Sequence, residues 1–119
     1  LDGARLFKPE TVKLMTTVQT PSVLSLRCGL GWDIDSGYSS PPGSVFPLGS
    51  YGHTGFTGTS IWIDLFSKTF VIFPCNRIHP IEKSPSVSPL RRVIGTLAAE
   101  AVKGFDFDNV AEALPVRDT

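Results

Sequence analysis

A chain of 119 residues, 41% of them hydrophobic, holds one modest core, because a small domain buries a smaller share of its surface than a large one. Eleven basic and eleven acidic residues cancel, so no net charge steers nucleic acid or an anionic membrane surface towards it, and no basic stripe with interleaved aromatics is present. The apolar runs are too short to cross a bilayer, and no basic start, apolar core and cleavage site mark a signal peptide.

Leu1–Phe7 is a short lead-in, and a start at Leu1 rather than Met predicts a processed product, a trimmed chain or a piece of something longer. Lys8-Pro9-Glu10 predicts a helix start, since proline fits the first helical position and an acidic residue suits the positive N-terminal end. The helix is expected to reach Val18 or Gln19 and to stop before Pro21. Leu14, Met15 and Val18, with Val12 at the margin, form its core-facing stripe. Arg27–Asp35 reads as one strand, with a bulge or a tight backbone approach at Gly29 and Gly31. Trp32 is expected in the core or a pocket wall. Asp33 and Asp35 alternate with Ile34 and share a face, which is more often solvated than an acid/base pair or half a cation site. Ser36–Ser50, rich in Ser, Pro and Gly, is a long loop of the kind that is functional or disordered. Its Tyr38, Val45, Phe46 and Leu48 are candidates to fold it back over the sheet.

Tyr51–Leu65 (YGHTGFTGTSIWIDL) organises the rest. Gly52, Gly55 and Gly58 recur every third residue, with His53, Thr54 and Thr57 between them. Such a stretch brings main-chain N–H groups up to a ligand, or is a glycine-rich loop leading into a sheet. From Ser60 the pattern alternates, Ile61, Ile63 and Leu65 against Ser60, Trp62 and Asp64, which is a strand with two different faces. Phe66-Ser67-Lys68 turns. Thr69–Cys75, apolar on both faces, predicts a strand in the middle of a sheet, with Pro74 at a strand end or bulge. After a linker at Ile81–Val87, Ser88 is expected to cap a helix with Pro89 in its first turn. Leu90, Val93, Ile94, Leu97, Ala98 and Ala101 form its apolar stripe, and Gly104 marks the stop. Phe105–Thr119 is a tail with one helical turn around Val110–Ala113.

Cys28 and Cys75 sit in apolar runs as small hydrophobes, and a single bridge between them stays open. Cys75 and His79 have no second pair at ligand spacing, so no metal and no cofactor is expected, and His79 before Pro80 is a turn residue. The predicted fold is α+β: a three-stranded antiparallel sheet with an N-terminal and a C-terminal helix packed on it, over residues 1–104, followed by a flexible tail at 105–119.

The order of motifs resembles a known family. A proline-started helix (Lys8–Val18) leads to GLGW (Gly29–Trp32), YGHTGFTG (Tyr51–Gly58), SIWID (Ser60–Asp64), a strand ending in NRIHP (Asn76–Pro80) and a long terminal helix. This is similar to the C-terminal part of the serine β-lactamase and penicillin-binding-protein superfamily, nearest the branch of class C β-lactamases, DD-peptidases and β-lactamase-like esterases. The resemblance implies acyl transfer on a lactam, D-alanyl peptide or ester carbonyl, with His53, Thr54 and Gly55 as the third motif on the sheet edge. It implies that the Phe56 main-chain N–H completes the oxyanion hole, that Thr54 bonds a substrate carboxylate, that Gly55 keeps the edge open and that His53 adds a polar group. Family members are often periplasmic or secreted, though intracellular esterases exist.

The family's other two motifs are absent. No serine has a lysine three positions on, and neither Y-x-N nor S-x-N occurs. The expectation is a fragment of such a hydrolase that is catalytically silent alone, since an oxyanion donor without a nucleophile has nothing to stabilise. Two other outcomes stay open: a binding module holding a peptidoglycan-like or acyl ligand without turnover, and an assembly module that self-associates through an open sheet edge.

Overall fold

The computed structural model of the chain describes residues 3–36, 39, 42–83 and 85–116. The elements run α1 (Pro9–Thr16), β1 (Arg27–Cys28), β2 (Asp33–Asp35), β3 (Tyr51–Thr54), β4 (Gly58–Asp64), β5 (Thr69–Asn76), α2 (Ser88–Glu100) and a 3-10 turn at Phe107–Asn109. The strands form one antiparallel sheet in the order β1-β2-β3-β4-β5, so neighbours in sequence are neighbours in space. The α+β class holds, but the sheet has five strands rather than the expected three.

Two local features account for the extra strands. Arg27–Asp35 is not one strand but a hairpin, turned at Gly31 (φ 76°) and closed by Gly29 N–H donating to Trp32 O at 2.8 Å. Gly29 does carry a tight approach: an added Cβ would lie 2.2 Å from Met15 O, at the end of α1. Tyr51–Thr54 is a strand rather than loop. Gly52 pairs with Trp62, and a Cβ there would fall 2.2 Å from the Trp62 ring. Its missing side chain makes room for the indole, so a residue type that suggests a loop is here a packing requirement.

The β4–β5 hairpin forms as expected, around the turn at 65–68. β5, however, is an edge strand, not a central one. Its burial alternates, and Phe70 is 65% exposed. Pro74 sits in a bulge: Pro74 and Cys75 together oppose Thr59, between the pairs Ser60–Phe73 and Gly58–Asn76. The Thr59 hydroxyl donates to Cys75 O at 3.1 Å, spanning the interrupted ladder. Cys28 and Cys75 lie on opposite edges of the sheet, about 19 Å apart by four strand spacings, so no disulfide joins them in this fold.

Among the described residues, Ile34, Phe46, Tyr51, Trp62 and Ala99 are the buried apolar ones. The 42–50 loop folds back over the sheet, with Phe46 buried and Val45 and Leu48 half-buried; Tyr38 lies outside the described residues. Ser50 ties the loop down, accepting from Trp62 Nε1 at 2.8 Å and donating to Pro47 O at 2.9 Å. Trp32 packs edge-on against Tyr51, with centroids 5.2 Å apart. Phe107 meets Phe46 and Phe105, and Leu114 N–H donates to Leu48 O at 2.8 Å.

The helices depart from their expected packing. α1 ends at Thr16, and Val12, Leu14 and Val18 are exposed. In α2 the stripe residues Leu90, Val93 and Leu97 are exposed, and Gly95 and Ala99 are buried instead. A Cβ on Gly95 would lie 2.4 Å from Pro42 O, so the loop backbone lies directly against the helix. Closeness of approach, which small residues permit, has chosen the inner side over hydrophobicity. Ser88 is not the cap: Val87 takes that position, and the Ser86 hydroxyl accepts the Ser88 N–H at 3.2 Å. Among the described residues no helix is long and apolar enough to cross a membrane.

Candidate functional site

His53 and Thr54 end β3, and Gly55 and Phe56 begin the turn into β4. On one side β3 is paired with β4, His53 opposite Ile61 and Thr54 opposite Ser60. On the other side β2 reaches only its start, where Asp33 stands opposite Gly52. From His53 onwards that side of β3 is an open edge among the described residues. His53, Gly55 and Phe56 are exposed and Thr54 is half-buried.

The turn itself is closed by Gly55 N–H donating to Thr59 O at 2.7 Å and Gly58 N–H donating to Gly55 O at 3.0 Å. Among the described residues nothing accepts the Phe56 N–H. The Phe56 ring is 66% exposed and lies 4.9 Å from the Arg77 guanidinium carbon. Four consecutive residues therefore present an imidazole, a hydroxyl, a bare glycine and a free main-chain donor along one open strand end. That set can bind an oxygen-rich or anionic group, with the donors fixed by a sheet.

The other candidates fall elsewhere. Asp33 is only 7% exposed and takes a bond from the Cys28 thiol at 3.5 Å, so the expected solvated face fails there, while Asp35 is half-buried. β2 is the second strand of a hairpin, and its Asp33 pairs with Gly52 of β3, with its side chain buried rather than facing water. No group of three or more His, Cys, Asp or Glu side chains among the described residues is arranged to hold a metal ion. His79 is exposed in the segment leaving β5. Trp62 is core, and Trp32 packs on the other face of the sheet against Tyr51, where burial pushes the phenol pKa up. Asp64 is buried and accepts from the Ser67 N–H at 3.0 Å and from the Ser67 hydroxyl, which pins the β4–β5 turn.

Two residues at the site escaped the sequence pattern. Arg77 and Arg91 both reach the 55–59 turn, one from the end of β5 and one from α2. No local signal marks them, because each is an ordinary charged residue on an exposed stretch until the chain folds. Burial lowers the Arg91 pKa from its usual value; neighbouring Cys75 opposes that shift and Arg77 adds to it.

Comparison with known proteins gives one consistent result. A protein of Escherichia coli (strain K12) named "Putative D-alanyl-D-alanine carboxypeptidase" is 33% identical over 112 residues, which is 92% of this chain and 25% of that protein. Proteins of the same name from Salmonella newport and Salmonella agona are 33% identical over 114 residues, 94% of this chain and 26% of theirs. The chain spans about a quarter of the length of the curated relatives it matches. No protein-family model matches it, and no solved structure matches it significantly. By these relatives the chain belongs to the penicillin-binding-protein and serine β-lactamase superfamily, of whose matched members it spans about a quarter.

Proposed function

We propose that the chain forms the substrate-facing sheet edge of an acyl-transferring serine hydrolase that acts on a D-alanyl peptide, lactam or ester carbonyl. The nucleophilic serine then belongs to another segment, since no S-x-x-K stands in these 119 residues, and the chain alone is silent. As that serine gives its hydroxyl proton to a base on its own segment and adds to the carbonyl carbon, the carbonyl oxygen takes the π electron pair, and the Phe56 N–H donates to it. A donor preset for that charge is worth ~3 kcal/mol of barrier. Thr54 and His53 hold the substrate's carboxylate, and Gly55 keeps the approach clear of a side chain. The names of the relatives support the peptidase form of this chemistry.

The observation that carries the proposal is the Phe56 N–H, next after H-T-G on the open β3 edge and without an acceptor among the described residues. Intact mass after incubation with a labelled penicillin and a fluorophosphonate is expected to show no adduct on this chain; an adduct would place a nucleophile here and overturn its silence. The matched quarter of the E. coli relative, replaced by this chain, is expected to retain penicillin acylation. In that graft Phe56→Pro, which removes the donor, should slow acylation about 10²–10³-fold. Phe56→Ala, which keeps it, should leave the rate nearly unchanged. A Phe56→Pro graft as fast as its parent would remove Phe56 from the oxyanion role.

A further inference from the structure

Residues 55–59 carry five consecutive carbonyl groups, and every one accepts a hydrogen bond. Arg77 supplies two of the donors: its main-chain N–H to Thr57 O at 2.7 Å and its Nε to Phe56 O at 2.9 Å. Arg91 straddles Gly58 O with Nε, at 3.1 Å, and Nη2. The same Nη2 lies 3.4 Å from both Gly55 O and Thr59 O. Gly58 has φ 116°, a conformation that L side chains rarely adopt, and it stands beside the bulge at Thr59. The glycine thus sets the path of the turn, and two guanidinium groups gather its carbonyls.

A peptide group is planar and trans, so its C=O and N–H point in opposite directions. Gly55 O and the Phe56 N–H belong to one such plane. Holding Gly55 O inwards, on Gly58 N–H and Arg91, aims the Phe56 N–H outwards, away from the turn. Holding Phe56 O on Arg77 fixes the next plane and removes the remaining freedom about Phe56. We propose that Arg91 and Arg77 are positioning residues, whose guanidinium groups lock the two peptide planes flanking Phe56 and so aim its N–H at the reacting carbonyl. The proposal rests on the hydrolase reading of Phe56. Arginine suits the task because its planar fork reaches several acceptors at fixed angles, which the single ammonium of lysine does not.

The clamp is testable in the 119-residue chain itself. In Arg91→Met the amides of Gly55 and Gly58 are expected to exchange at least about tenfold faster, while those of Ile61 and Ile63 in β4 keep their protection. Arg91→Lys should not restore the turn. Unchanged exchange at Gly55 and Gly58, or an equal loss in β4, would overturn the clamp. In the graft, Arg91→Met should lower kcat for acylation about ten- to a hundredfold with KM little changed. An unchanged kcat would overturn the positioning role. A graft that is silent with Arg91 intact would instead sink the hydrolase reading, and the exchange measurement would still decide whether Arg91 holds the turn.

Discussion

Gly52 shows how one residue fixes a strand pair. The indole of Trp62 occupies the place of the missing side chain, and an added Cβ would also lie 2.2 Å from Ile61 O, a backbone atom that cannot swing aside. Gly52→Ala is therefore expected to cost about 1–3 kcal/mol, read as a lowered urea midpoint. A neutral result would mean that β3 and β4 separate at little cost. Asp106 is a second single-residue test. Bonds from the Asn109 side chain and the Asp108 N–H hold its carboxyl below the ordinary carboxylate value. Its folded pKa is depressed, so the benefit is present above the unfolded value and is lost as pH falls through the folded one. The amide shifts of Asp108 and Asn109 should thus titrate with a midpoint below that of an unstructured aspartate; a midpoint at or above it would mean that Asp106 does not cap the 3-10 turn at Phe107–Asn109.

At the level of elements, α2 separates two rules that usually agree. Alanine is a better helix former than glycine by about 1 kcal/mol, which predicts that Gly95→Ala stabilises. The added Cβ would lie 2.4 Å from Pro42 O and 2.7 Å from Pro42 C, both backbone, which predicts the opposite. The clash is with the loop that carries Phe46 into the core, so the expected outcome is a lower Tm. Val93→Lys, at an exposed position on the apolar stripe, should change stability by no more than about 0.5 kcal/mol. If Val93→Lys is severe and Gly95→Ala mild, α2 lies the other way round. Hydrophobic spacing identifies a helix and its apolar side; it does not say whether anything stands opposite that side.

The whole molecule is open for its size. A compact protein of 12.9 kDa exposes about 6300 Å². This chain exposes 8424 Å², with a radius of gyration of 15.1 Å where about 13.5 Å is usual. Phe70 and Ile72 on the edge strand and Leu90, Val93 and Leu97 on α2 account for part of the surplus. With so small a buried apolar set among the described residues, the chain by itself is expected to unfold in urea with a free energy at or below about 5 kcal/mol, the low end for native proteins. A value above about 10 kcal/mol would show that the core is larger than the buried residues suggest.

Local chemistry alone was enough for much of this protein. Pro9 and Pro89 start helices because proline lacks an N–H and has a fixed φ, and both facts act within one turn. The β4–β5 hairpin follows from alternation and a short turn, and Pro74 had to stand at a bulge because it cannot donate to a ladder. The family was likewise readable from the whole set of motifs in their order, and the relatives bear it out. Tertiary structure decided the rest. Tyr51–Thr54 is a strand only because β4 pairs with it and the Trp62 ring fills the space at Gly52. Which side of α2 faces inwards was set by how closely the Pro42 backbone approaches Gly95. Arg77 and Arg91 reach Phe56 O and Gly58 O across 21 and 33 residues of chain. No periodicity within a segment encodes such a meeting, because the partners share neither an element nor a turn until the sheet has formed.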